Sequence, residues 1–250
     1  MDFIKPGILE HYHFPDFKEA TSFGLLAVGG DLQPYRLIKA YSEGIFPWFD
    51  PADDIHWWIG RFRPIYIPGH IHLGKNLRKA ILRNQYRVVF DHNPMQVLEN
   101  CGKVNRKGQD STWISDDIKA AYYQLYRFGI LHSIEVYREN EMVGGLYGLS
   151  MGKAFFGESM FHTEAECSKI ALFALSEFLF ENQFYFIDSQ VSNPHSYRMG
   201  AHEISFKRFY KFLKIAVNEP TLRGQWEYNL EPLPQRLKMA MNRKFESEIF

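Results

Sequence analysis

Cysteine is scarce in this 250-residue chain. Cys101 and Cys167 show no CxxC or Cys/His ligand spacing, which excludes a disulfide framework and a thiolate metal centre and leaves both thiols read as reduced. Charge of one sign is missing too. With 29 Lys and Arg against 29 Asp and Glu, no overall field draws a polyanion, so a nucleic-acid partner has to be held by local patches. The most apolar stretch is broken by Ser176, Glu177 and Glu181, and the opening MDFIKPGILEHYHF has no charged region followed by an apolar one. Neither a membrane span nor a signal peptide is expected, and the chain reads as cytoplasmic. No P-loop, HExxH or dinucleotide-type glycine fingerprint occurs. The histidines lack thiol or carboxylate neighbours at ligand spacing, so no metal is expected; His11/His13 and His70/His72 alternate as exposed strand residues do.

Aromatic residues are what the chain has in plenty, with 22 Phe, and such a surplus means thick packing or stacking surfaces. The length buries a core without staples. Residues 1 to about 70 are loop-rich and hold one clear helix: Pro34 in its first turn, Leu37, Ile38 and Tyr41 on its apolar face, Gly44 as its stop. GIFPWF at 44–49 is turn-like because Pro47 blocks a helix, which leaves Trp48 on a loop. Helical segments are expected over 71–130 around a short strand Tyr86–Phe90, the last of them capped by Ser115 and stopped by Gly129.

From 131 the period changes to that of strands. LHSIEVYR, a Glu139-Asn140 turn, EMVGGLYGLS, a Met151-Gly152 turn and KAFFGESMF predict an antiparallel meander. A helix from about Ala165 to Glu181, the strand YFIDSQV and a last amphipathic helix carrying Phe206, Phe209, Phe212, Leu213 and Val217 complete the pattern. The fold class is α/β (α+β): a small N-terminal α+β domain over 1–70, its boundary between 65 and 110, and a larger mixed domain over 71–250.

Several constellations could carry chemistry. In YFIDSQV, Asp188 and Gln190 are two apart and share one face of the strand, which is either a wet face or a polar spot in a site. Glu158 is placed at the end of a Phe-rich strand, where Gly157 leaves room for close approach; it suits a cation receptor or simply a solvated strand end. The glycines of GGLYG at 144–148 mark either a close approach or a β-bulge. Trp48 and Trp113 on loops can stack nucleobases or serve as core. Basic residues gather at Arg61 and Arg63, at Lys75, Arg78, Lys79, Arg83 and Arg87, and at Lys103, Arg106 and Lys107, either to meet phosphates or as a solvated helix face. On the residues alone these alternatives stay open.

Read in order, LLAVGGDL (25–32), AYSEGIFPWF (40–49), HWW (56–58), STWI (111–114), HSIEVY (132–137), GGLYG, GESMF, Ser168-Lys169, IDSQ and MGAHEI (199–204) resemble the leucyl/phenylalanyl-tRNA–protein transferases. The resemblance implies a C-terminal domain of the GNAT-like acyltransferase fold, no cofactor and no membrane. The activity it implies is transfer of Leu or Phe, less readily Met, from aminoacyl-tRNA to proteins beginning with Arg or Lys, marking them for N-end rule degradation.

The resemblance also implies a catalytic pair at Asp188 and Gln190 with Glu158 as a third polar residue. Trp48, Trp113, Tyr41 and Tyr122 fall at the positions around the terminal adenosine, and the side-chain pocket maps to Leu146, Phe155, Met160, Leu172, Leu175, Leu179 and Ile187. Gln190 is expected to accept from the attacking amine while Asp188 orients its amide, and Glu158, with Asp188, to receive the acceptor's cation. Lys75, Arg78, Lys79 and Arg83 are expected on the tRNA backbone. The chain departs from the family at Ile59-Gly60-Arg61-Phe62-Arg63-Pro64, Tyr126, Tyr137, Leu146 and Leu175, which leaves the Leu/Phe/Met ranking open. Two rivals remain: an acyl-CoA N-acyltransferase, opposed by the glycine-free SMFHTEAECSK turn, and a non-catalytic tRNA-binding or adaptor module.

Overall fold

The structure, a computed structural model, describes residues 3–104, 112–227 and 232–243. Strand β1 (Leu25–Val28) precedes α1 (Pro34–Ser42), where Pro34 opens the first turn and Gly44, at φ 75°, turns the chain away under Phe206 and Phe209. Next come β2 (Phe46–Pro47), β3 (His56–Trp58) and β4 (Phe62–Tyr66). β1, β3 and β2 form a small antiparallel sheet, with Pro47 on an edge strand where its missing N–H costs nothing. His11 closes a 3-10 turn, and His70 and His72 lie in the irregular stretch before α2 (Lys75–Leu82), so neither pair is the expected strand.

β5 (Arg87–Phe90), α3 (Pro94–Gly102) and α4 (Asp116–Arg127) follow, with the Ser115 side chain accepting from the Ile118 N–H as the cap residue predicts. The meander is β6 (Leu131–Arg138), β7 (Glu141–Met151) and β8 (Ala154–His162), its second turn falling on Gly152 and Lys153. α5 (Cys167–Glu181) starts later than expected because Glu166 is left-handed, at φ 71°. β9 (Phe186–Asp188), α6 (Pro194–Arg198), β10 (His202–Ser205) and α7 (Phe206–Ala216) follow. A further helix, α8 (Leu233–Asn242), lies beyond the one expected to be last; Leu233 and Leu237 bury, and Arg243 just after it holds Glu177. Among the described residues no helix is long and apolar enough to cross a membrane.

The larger sheet runs β10-β4-β9-β8-β7-β6-β5, with β8 and β9 parallel and every other pair antiparallel. Its two faces bury separate apolar clusters. One gathers residues of α1, α3, α4 and α7, the other residues of α2, α5 and α8, so the sheet is the middle of three layers. Both readings of GGLYG hold, at different glycines. A Cβ on Gly144 would stand 2.6 Å from that of Cys167, where α5 crosses β7, whereas Gly148 sits at a register shift. At that shift Tyr147 faces Ser159 and Gly148 faces Gly157, so Glu158 is the extra residue of a bulge within β8 and not the end of a strand.

Candidate functional site

The bulge decides where Glu158 points. An unpaired strand residue is free to leave the alternation of its neighbours, and the Glu158 carboxylate reaches a cluster of polar groups beside a cavity of about 540 Å³. That volume lies in the range of small-molecule sites. Its apolar lining includes Leu146 and Met160, partners across β7 and β8, with Leu172 and Leu175 from α5 and Ile187 from β9. Phe155 and Leu179 do not line it: both are fully buried in the core, Phe155 near Trp226 and Leu179 one helical turn past Leu175. Five of the seven expected pocket residues are therefore at the surface of the cavity and two support it from behind.

β9 ends at Asp188, so the strand argument for a shared face fails at Gln190. Gln190 is left-handed, at φ 52°, and a turn rather than a pleat brings it to the same cavity. The Asp188 carboxylate accepts from the Gln190 backbone N–H at 2.9 Å, which holds that turn. The side-chain amide is oriented by Glu158 instead of Asp188, since Gln190 Nε2 donates to Glu158 Oε1 at 2.8 Å. Both Asp188 oxygens are also taken by the Arg63 guanidinium, so Asp188 is not the open cation receptor expected beside Glu158.

Tyr41 and Tyr122 are absent from the cavity wall. They are buried below it, their hydroxyls 2.6 Å apart, and Tyr122 donates to Glu158 Oε2 at 2.9 Å. Burial pushes the Glu158 carboxyl up to about 7, against the hydrogen bonds of Tyr122 and Tyr41 that pull it down. Burial, and then the charge of Glu158, pushes both tyrosine hydroxyls well above their usual range. They are neutral donors at any ordinary pH.

Trp48 and Trp113 do line the cavity, and Trp48 is 40% exposed, its backbone carbonyl accepting from the Trp58 indole. An aromatic face so presented is free to stack. Lys75, Arg78 and Lys79 belong to α2 and Arg83 caps its end, all away from the cavity wall; Lys75, Lys79 and Arg83 are exposed and Arg78 half-buried. Arg63 leaves the set of candidate phosphate contacts because it is fully buried. Ser111, Arg106 and Lys107 lie outside the described residues.

Sequence reasoning missed Arg63 as part of the site; its only signal was a cation among the apolar residues of FRPIYIP. It also missed the wall after β9, made by Val191, Asn193, His195 and Ser196, which no periodicity marks.

An open apolar pocket ending on a hydrogen-bonded carboxylate and amide, with two tryptophans at its wall, defines an α/β protein suited to holding an apolar group attached to a flat ring system. The family profile described as leucyl/phenylalanyl-tRNA protein transferase matches residues 65–214, and that of its N-terminal domain matches residues 30–58. The chain is 43% identical over 218 residues to a leucyl/phenylalanyl-tRNA–protein transferase of Shewanella woodyi, covering 87% of this chain and 92% of the relative. It is 43% identical to one of Thermodesulfovibrio yellowstonii, covering 87% and 89%, and 41% identical to one of Syntrophus aciditrophicus, covering 87% and 91%. The chain belongs to this family of aminoacyltransferases.

Proposed function

We propose that the protein moves Leu or Phe, and less readily Met, from the 3′ end of its tRNA to the N-terminal α-amine of proteins beginning with Arg or Lys, marking them for N-end rule degradation in the cytoplasm. The observation that carries this reading is the orientation of Gln190. Its amide nitrogen donates to Glu158, which leaves the amide carbonyl as the acceptor for the attacking amine.

The aminoacyl side chain fills the cavity between Leu146, Met160, Leu172, Leu175 and Ile187, and the terminal adenosine stacks on Trp48 and Trp113. An aminoacyl ester is already activated, and an α-amine of pKa about 7.7–8.0 is partly neutral at physiological pH, so no strong base is needed. Holding the two in attack geometry supplies about 7–11 kcal/mol of the barrier. The amine nitrogen forms the new amide bond, the ester C–O bond breaks, and the amine's proton ends on the departing ribose oxygen. With Asp188 engaged by Arg63, the acceptor's cationic side chain falls to Glu158.

Backbone contacts to tRNA are assigned to Lys75, Arg78, Lys79 and Arg83. The division into a small N-terminal domain over about 1–70 and a GNAT-like acyltransferase domain after it belongs to the same reading. The separate three-stranded sheet and the N-terminal profile match support that division.

The test is transfer of labelled Leu, Phe or Met from charged tRNA to peptides beginning with Arg, Lys or Ala. Label in the Arg and Lys peptides only, and lost in Gln190→Ala, is expected. Binding of charged tRNA without transfer would refute the reading.

A further inference from the structure

Arg63 is fully buried and so meets neither substrate, yet one of its polar partners, Asp188, lines the cavity and the other, Gly44, stands just ahead of the lining segment Phe46–Trp48. On the sheet, Ile65 of β4 pairs with Asp188 of β9, which places Arg63, two residues back on β4, diagonally across from Asp188 on the same face. Its Nε donates to Asp188 Oδ1 at 3.1 Å and its Nη2 to Oδ2, a two-point grip that only a planar guanidinium makes. The remaining nitrogen, Nη1, donates at 2.6 Å to the carbonyl of Gly44, just ahead of the segment carrying Phe46, Pro47 and Trp48. The guanidinium lies against the Phe46 ring at 5.1 Å and the Phe209 ring at 4.4 Å.

We propose that Arg63 is the positioning residue of this site, one guanidinium that ties the Gln190 turn to the Trp48 loop and so sets the distance between the reacting amine and the adenosine. On one side the link runs from Arg63 to Asp188, from Asp188 to the Gln190 N–H at 2.9 Å, and from the Gln190 amide to Glu158 at 2.8 Å. A non-glycine residue at φ 52° needs such an anchor, because left-handed backbone is unfavourable unless its surroundings over-determine it. Gly60 closes the arrangement from above: a Cβ there would stand 2.8 Å from the Gln190 carbonyl oxygen, so the turn is pressed against bare backbone. On the other side the Gly44 carbonyl is fixed two residues after α1, where Gly44 itself is at φ 75°.

The inference deepens the transfer reading and rests on it. Wild-type protein that fails to transfer at all sinks that reading, whereas the variants below test Arg63 against an active wild type. Arg63→Lys keeps the charge but can bridge only one of the two partners, so kcat should fall about 10- to 100-fold and the KM for aminoacyl-tRNA should rise, as misplacement of a reacting group by about 1 Å predicts. Phe209→Leu, which loosens the packing on the guanidinium and removes none of its hydrogen bonds, serves as the control. It should lower Tm comparably while kcat stays within about threefold of wild type. Should Arg63→Lys not fold, Arg63→Met combined with Asp188→Asn removes both charges together and avoids a buried orphan. Its kcat should match that of Asp188→Asn alone, with the KM for aminoacyl-tRNA raised further, because the two residues act as one unit on turnover. Wild-type kcat in Arg63→Lys, or kcat losses that simply multiply in the pair, would overturn the proposal.

Discussion

Replacing Glu158 by Gln should stabilise the protein at alkaline pH and disable it. The carboxyl is carried from 4.5 in the free side chain to about 7 in the folded protein, chiefly by burial. Below pH 4.5 it is protonated whether the chain is folded or not, and it contributes nothing to the pH dependence. Between there and about 7 the folded state keeps a proton that the unfolded state has released, so stability falls as pH rises. Above 7 the full cost of the buried charge is present, at most about 3 kcal/mol at 1.36 kcal/mol per pH unit. Glu158 is half-buried, and water at the cavity trims this to about 1–3 kcal/mol.

The neutral amide has no such cost. Urea unfolding followed by tryptophan fluorescence should therefore show the variant gaining about 1–3 kcal/mol on wild type between about pH 4.5 and pH 8.5, with the m-value unchanged. Local changes in hydrogen bonding cancel in that comparison, because they are the same at both pH values. A stability difference that does not vary with pH would refute the reasoning. Turnover should fall in the same variant, since Gln190 then faces another amide and no longer has a carboxylate to fix which end of its own amide meets the amine.

Tyr122→Phe removes a donor that pulls the Glu158 carboxyl down, so the acid limb of kcat/KM for an Arg-initiated peptide should move up by about one pH unit. An unmoved pH profile would show that this hydroxyl does not tune the carboxylate. Trp48→Ala should weaken aminoacyl-tRNA by about 1–3 kcal/mol, read as a rise in KM, and leave Tm unchanged because the ring is 40% exposed.

Local physics was enough for most of the elements. Pro34 and Gly44 bound α1, Ser115 caps α4, and the alternation from Leu131 onward is the meander seen in the sheet. The apolar wall of the cavity was legible at Leu146, Met160, Leu172, Leu175 and Ile187 through the motifs that carry the family resemblance. The depth of Tyr41 and Tyr122 beneath the cavity was not legible, because spacing along a chain does not say whether a tyrosine faces the cavity or lies beneath it. Phe155 and Leu179 likewise lie behind the cavity wall, fully buried in the core.

What the sequence determined by itself is the list of groups and the strands and helices that carry them, since those depend on propensity, period and caps within a few residues. What only the tertiary structure decided is which groups meet. The β8 bulge turns Glu158 towards Gln190, a left-handed turn carries Gln190 past the end of β9, and the diagonal register of β4 on β9 spends Asp188 on Arg63. The paired residues Arg63 and Asp188 stand 125 apart in the chain. Their contact is a property of strand order, which no local pattern contains.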